Sequence, residues 1–226
     1  MSKHFKKIIK SIEVELSEYY GFAIDHSASD HLVNEDEIKI LQPNMDGAKI
    51  DRAGVLFQQE QSEVFIGLHF NSLIKDSLQL DPTHCLCNKN LDAFTVVVEE
   101  LSHFHLLLNR MRANQKLSQL ELEWQAEIDK ILISGLFLQK SAGDPHIHAL
   151  KKLIIDRSII TSNDEELYFN SSKYAHRFWQ DFIDYAYKGK NSLIAKEFQK
   201  FMQLNYEKPM DLKKLYSNAE PIMTAA

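Results

Sequence analysis

The residues able to do chemistry concentrate in two neighbouring stretches. Residues 96–110, VVVEELSHFHLLLNR, carry Glu99, Glu100 and His103, and residues 117–138, LSQLELEWQAEIDKILISGLFL, carry Glu121, Glu123 and Glu127. Both stretches are otherwise apolar at helical spacing, and burying an unpaired charge is unfavourable. The acidic groups and the imidazole therefore need a metal, one another or a substrate as partner. Residues four apart on a helix lie above one another, so Glu99 and His103 face the same way with Glu100 beside them. A following helix packed antiparallel brings Glu123 to the same place. Two carboxylates and an imidazole then converge, with a third carboxylate adjacent. That is the ligand count of an open site for a single divalent metal, with positions left for water.

The elements that must hold these groups are readable from periodicity. Leu91, Phe94, Val97, Val98, Leu101, Phe104, Leu108 and Met111 form a wide apolar surface, which predicts a mostly buried helix over 91–114, capped by Asn90 or Asp92. Ser118 or Asn114 starts the next, over 118–138, with Leu120, Trp124, Ile128, Ile131 and Gly135 on its packing face and Glu123 and Glu127 on an adjoining one. The short connection makes the two antiparallel neighbours. Upstream, Phe5, Ile8, Ile9, Ile12, Leu16, Tyr19 and Tyr20 predict a helix over 3–20 closed by Gly21. Residues 22–51 lack strong periodicity and read as loops around a short strand near 37–41, with Asp25, His26, Asp30 and His31 in a solvated loop. The period then changes to two, and 53–59 with 63–70 read as a hairpin. Val64, Ile66, Leu68 and Phe70 share one face of it. Phe65, Gly67 and His69 share the other, where the glycine marks a bulge or a close backbone approach. Asn71 or Ser72 caps a short helix through Leu78.

Downstream, Asp144-Pro145 opens a helix whose His146 and His148 point in opposite directions, as do His103 and His105. Ser162 and Glu165 form a capping box for a helix to Tyr187, anchored by Leu167, Tyr174, Phe178, Phe182 and Tyr185. Asn191 caps a last helix to about residue 205. The fold class is therefore α+β and helix-dominant: an N-terminal helix, a β-hairpin or small antiparallel sheet, then a helical bundle containing the central pair. The 226 residues fit a single domain, with an α/β part over 1–90, a helical part over 91–205 and a peripheral tail over 206–226.

Within this frame VVVEELSHF resembles the active helix of the zincin metallopeptidases, whose motif is H-E-x-x-H. Glu100 matches the catalytic glutamate and His103 the second histidine. Glu123, twenty residues after His103, matches the third ligand that the gluzincin branch takes from a following helix, and Glu127 stands where that branch has an aspartate that orients a ligand. Glu99 occupies the position of the first zinc-binding histidine. The resemblance implies a peptide-binding sheet edge at the hairpin, through Phe65, Gly67 and His69. It implies either of two sites. In one, Glu99, His103 and Glu123 hold zinc, manganese or iron, and Glu100 serves as general base of a metal-dependent hydrolase. In the other the metal is lost, a protonated His103 sits between Glu99 and Glu123, and the protein binds a protein or peptide partner without efficient peptidase activity. Without the resemblance, the same residues make a satisfied polar network in a helical interaction protein. A di-iron bundle needs a second E-x-x-H, which the chain lacks.

Composition narrows the classes further. A net charge of −6 gives nucleic acid no electrostatic footprint. The longest apolar run, 131–138, is broken by Ser134 and Gly135 and is too short to span a bilayer. Cys85 and Cys87 are one residue apart and read as free thiols. With no apolar leader segment at the N-terminus, the expected compartment is the cytoplasm. His84, Cys85 and Cys87 lack a fourth ligand for structural zinc. The glycines are scattered, so no phosphate-binding loop is present.

Overall fold

The computed structural model describes residues 2–41, 52–60, 63–143, 150 and 165–186, with residues 196 and 200. The sequence-predicted helices opening at Asp144 and Asn191, the capping box at Ser162 and the tail lie outside these residues. So do the side chains of Phe182 and Tyr185.

The first helix, α1 (Lys3–Tyr20), begins where the Ser2 side chain accepts from the Phe5 amide, and it ends at Gly21 with φ 66°. That left-handed conformation is one glycine adopts without the Cβ penalty. All seven apolar positions predicted for its core face are buried. A loop with a single 3-10 turn (Ala28–Asp30) follows. Next, α2 (Glu35–Leu41) is a helix where the sequence suggested a strand near 37–41. The reason is local. The Asn34 side-chain oxygen accepts from the amides of Asp36 and Glu37, and the Glu37 carboxylate accepts from the Asn34 amide. This reciprocal cap, with three acidic residues in the first turn, fixes a helix start.

Strands β1 (Ala53–Glu60) and β2 (Glu63–Phe70) pair antiparallel in an uninterrupted register, Ala53 opposite Phe70 and Glu60 opposite Glu63. Gly67 therefore marks no bulge. A Cβ there would stand 3.0 Å from Val33 Cγ1, so the glycine marks the close approach of the segment before α2. That segment adds a parallel bridge, Leu32 beside Leu68, to the outer edge of β2. Asn71 caps α3 (Ser72–Ser77) through the Ile74 amide.

The central pair follows: α4 (Leu91–Arg112) and α5 (Gln119–Ala142). Asn90 stands at the N-cap of α4, but its buried side chain serves the preceding loop: it accepts from the Cys87 amide and donates to Leu80 O and Cys85 O. Ser118 and Glu121 form a capping box on α5, and Gly143 closes it at φ 77°. Ion pairs between Arg110 and Glu121 near the connection and between Glu99 and Lys130 farther from it set the helices antiparallel. The last described helix, α6 (Glu165–Ala186), packs on α5, with Phe178 edge-on to Trp124. Among the described elements, α1 packs on both helices of the central pair, the hairpin on α4 and α6 on α5. No described helix is long and apolar enough to cross a membrane.

Candidate functional site

Both central helices are buried on more than one face, so their polar residues are sorted by direction. Ser102, His103 and His105 are consecutive or nearly so, yet they serve three different neighbourhoods.

His103 turns toward α5. Its Nε2 is 3.8 Å from Glu123 and its Nδ1 is 3.9 Å from Glu100. Nε2 is buried and makes no hydrogen bond. Glu99, His103 and Glu123 each offer one ligand atom, all within 4.8 Å of one another, and they are the one such group of three among the described residues. The predicted convergence is therefore real. Closing the three onto zinc or a similar ion, at about 2.1 Å from each, would need them roughly 3.4 Å apart in tetrahedral geometry.

The sequence reading missed Lys130. Its ammonium lies 3.0 Å from Glu99 Oε2 and 2.7 Å from Glu127 Oε1, buried inside the cluster. Glu127 thus holds a lysine. The signal was present in the spacing: Lys130 follows Glu127 by three residues and Glu123 by seven, on one helix face.

Electrostatics follow from this packing. Burial alone would lower the Lys130 and His103 pKa values, but the surrounding carboxylates outweigh it. Lys130 is raised by Glu127 and Glu99, and His103 is pushed up to about 9 by Glu100, Glu123 and Glu99. Burial would raise Glu99, yet Lys130 and then His103 hold it below the ordinary carboxylate range. Burial dominates at Glu123, which is pushed up to about 7 although His103 pulls the other way. At neutral pH the cluster contains two cations, Lys130 and His103, facing Glu99, Glu100, Glu123 and Glu127.

Behind the cluster a second network closes the core. Asp129 is fully buried, accepts from Ser102 Oγ at 2.6 Å and from Gln125 Nε2 at 3.1 Å, and is hydrogen-bonded by the Tyr20 hydroxyl of α1. Burial pushes it up to about 7 despite these donors. His105 points to α1 instead, with Nε2 2.9 Å from Glu13 Oε1, and that same carboxylate accepts from the Ala28 amide and Ser27 Oγ. Phe22 stacks on the His105 ring.

The other predicted residues are scattered. Phe65 is 47 % exposed on the hairpin, Gly67 is covered by Val33, and His69 is buried with Nδ1 3.5 Å from Val33 O. Asp25, His26 and Asp30 are exposed, while His31 bonds Ile66 O and packs on Phe104. Cys85 is exposed and Cys87 half-buried, both as free thiols. Comparison of the chain with protein-family models, with curated proteins and with solved structures finds no match.

Proposed function

We propose that this is a zincin-like protein that has exchanged peptidase chemistry for a rigid, internally neutralised scaffold, and that it binds a protein or peptide partner at its hairpin. The observation that carries this reading is Lys130. A lysine ammonium between Glu99 and Glu127 supplies from within the chain the positive charge that a metal would supply. A protonated His103 is in turn no metal ligand, since both ring nitrogens carry protons. The hairpin supports the binding half of the reading. Among the described residues no strand pairs with the outer edge of β1, and an open edge accepts an extended segment through main-chain hydrogen bonds.

The test is elemental analysis of the untagged protein before and after incubation with zinc, manganese and iron. It is run beside a Lys130→Ala variant and a His103→Ala/Glu123→Ala variant. The expected result is no stoichiometric metal in the parent and measurable uptake in Lys130→Ala. Near-stoichiometric metal in the parent, lost in the double variant, would overturn it.

One observation favours a second reading, a metal-dependent hydrolase. The His103 Nε2 is buried and without a hydrogen bond, and Glu99, His103 and Glu123 each offer a ligand atom within 4.8 Å of one another. Glu99, His103 and Glu123 would hold the ion, which would supply Lewis acidity. Glu100, beside His103, would act as general base on water. Chelator-sensitive hydrolysis of a peptide, abolished in Glu100→Gln, would decide for this reading.

A further inference from the structure

On the hairpin, a cavity of about 280 Å³ opens between the segment before α2 and the two strands, and its lining includes none of the ionic cluster. Leu32, Val33, Leu56 and Ile66 contribute apolar walls, and Phe57 and Phe65 stand at 43 % and 47 % exposure beside them. The register puts Phe65 on the face of Leu56 and Gly67 and Phe57 on the opposite face with Ile66, so on the side that Val33 covers it is the exposed Phe65 ring that gains from being covered. Among the described residues the lining carries two carboxylates, Asp30 and Glu37, both exposed, and no lysine or arginine. Glu35 and Asp36 add negative charge in the same helical turn as Glu37. The volume falls just below the roughly 300 Å³ at which small-molecule sites begin, so it suits a long side chain rather than a whole cofactor.

We infer that this cavity receives an arginine or lysine side chain from an extended peptide segment of a partner. The aliphatic stem lies along Leu56 and Val33 on the face that Phe65 shares, while the cationic head meets Asp30 and Glu37. The inference rests on the partner-binding reading and names the chemistry of that partner. Charge complementarity selects this occupant: an acidic segment would place like charges together, and a purely apolar one would leave the two carboxylates against it without a counter-charge.

The experiment uses the full chain and three fluorescein-labelled octapeptides of alternating apolar sequence, alike except for a central arginine, norleucine or glutamate. Fluorescence anisotropy gives the affinities, and amide chemical shifts locate the contact. The arginine peptide is expected to bind about tenfold more tightly than either other peptide, an advantage that shrinks as salt rises. Its shifts should fall at residues 30–37 and 56–67. Asp30→Asn/Glu37→Gln should remove the advantage with only a small fall in melting temperature, because a glutamine at 37 still closes the cap on Asn34 while one of three first-turn acids is lost. Phe65→Ser, at an exposed position, should weaken binding of all three. Equal binding of the three peptides, or an arginine preference untouched by the double substitution, overturns the inference and leaves the partner-binding reading standing. Failure of all three peptides to bind or to shift any hairpin residue counts against both.

Discussion

Lys130 decides how the buried cluster behaves, because it is the fixed cation around which Glu99 and Glu127 are arranged. Lys130→Met leaves both carboxylates without it and should destabilise the protein by about 3–5 kcal/mol, the usual cost of breaking a buried pair from one side. The urea midpoint checks this, and Lys130→Met/Glu127→Gln should recover part of the loss. The pH dependence has a definite sign. His103 is raised from 6.5 to about 9, so its contribution is complete below about pH 6.5 and is lost as pH climbs through 9. Glu123 and Asp129, each raised to about 7, bind more protons folded than unfolded between about pH 4 and 7, which also lowers stability as pH rises. The melting temperature should therefore fall steadily from mildly acidic pH toward pH 9, and His103→Gln should flatten the upper part of that fall. A curve rising from pH 6.5 to 9 would contradict the arrangement. At this scale the sequence made Glu99, His103 and Glu123 legible through their spacing. It left Lys130 unnoticed because a lysine is no metal ligand and its role appears only when α4 faces α5.

At the scale of elements, end signals carried most of the information. Ser118 with Glu121 starts α5 as a reciprocal cap, and Ser118→Ala should cost about 1 kcal/mol, read as a lower melting temperature with unchanged helical content. The same kind of signal was present at Asn34 and Glu37, yet the segment read as a short strand near 37–41 between loops. Only seven residues long, α2 is too brief for periodicity to separate the two, and its cap decides. The hairpin register was legible from alternation. The meaning of Gly67 was not, because Val33, the residue that approaches it, is distant in sequence.

For the whole molecule, α5 joins α4 to α6, with α1 touching both central helices. Phe178 is fully buried against Trp124 and Trp179, so Phe178→Ala should cost about 3–5 kcal/mol and undock α6, raising its amide exchange before that of α4. Simultaneous exchange of all the helices would instead show a single cooperative unit. By itself the sequence determined every described α-helix but α2, the hairpin and the antiparallel central pair, because periodicity, caps and short connections are local properties of the chain. It also placed Glu99, His103 and Glu123 together, since two adjacent helices leave few alternatives. Tertiary structure alone decided which charge neutralises which. Lys130 reaches Glu99 across the helix interface, Tyr20 of α1 reaches Asp129, and Glu13 of α1 reaches His105. Those partners lie 31, 109 and 92 residues apart, and electrostatic pairing in a buried site depends on distance in space, which no local pattern in the chain encodes.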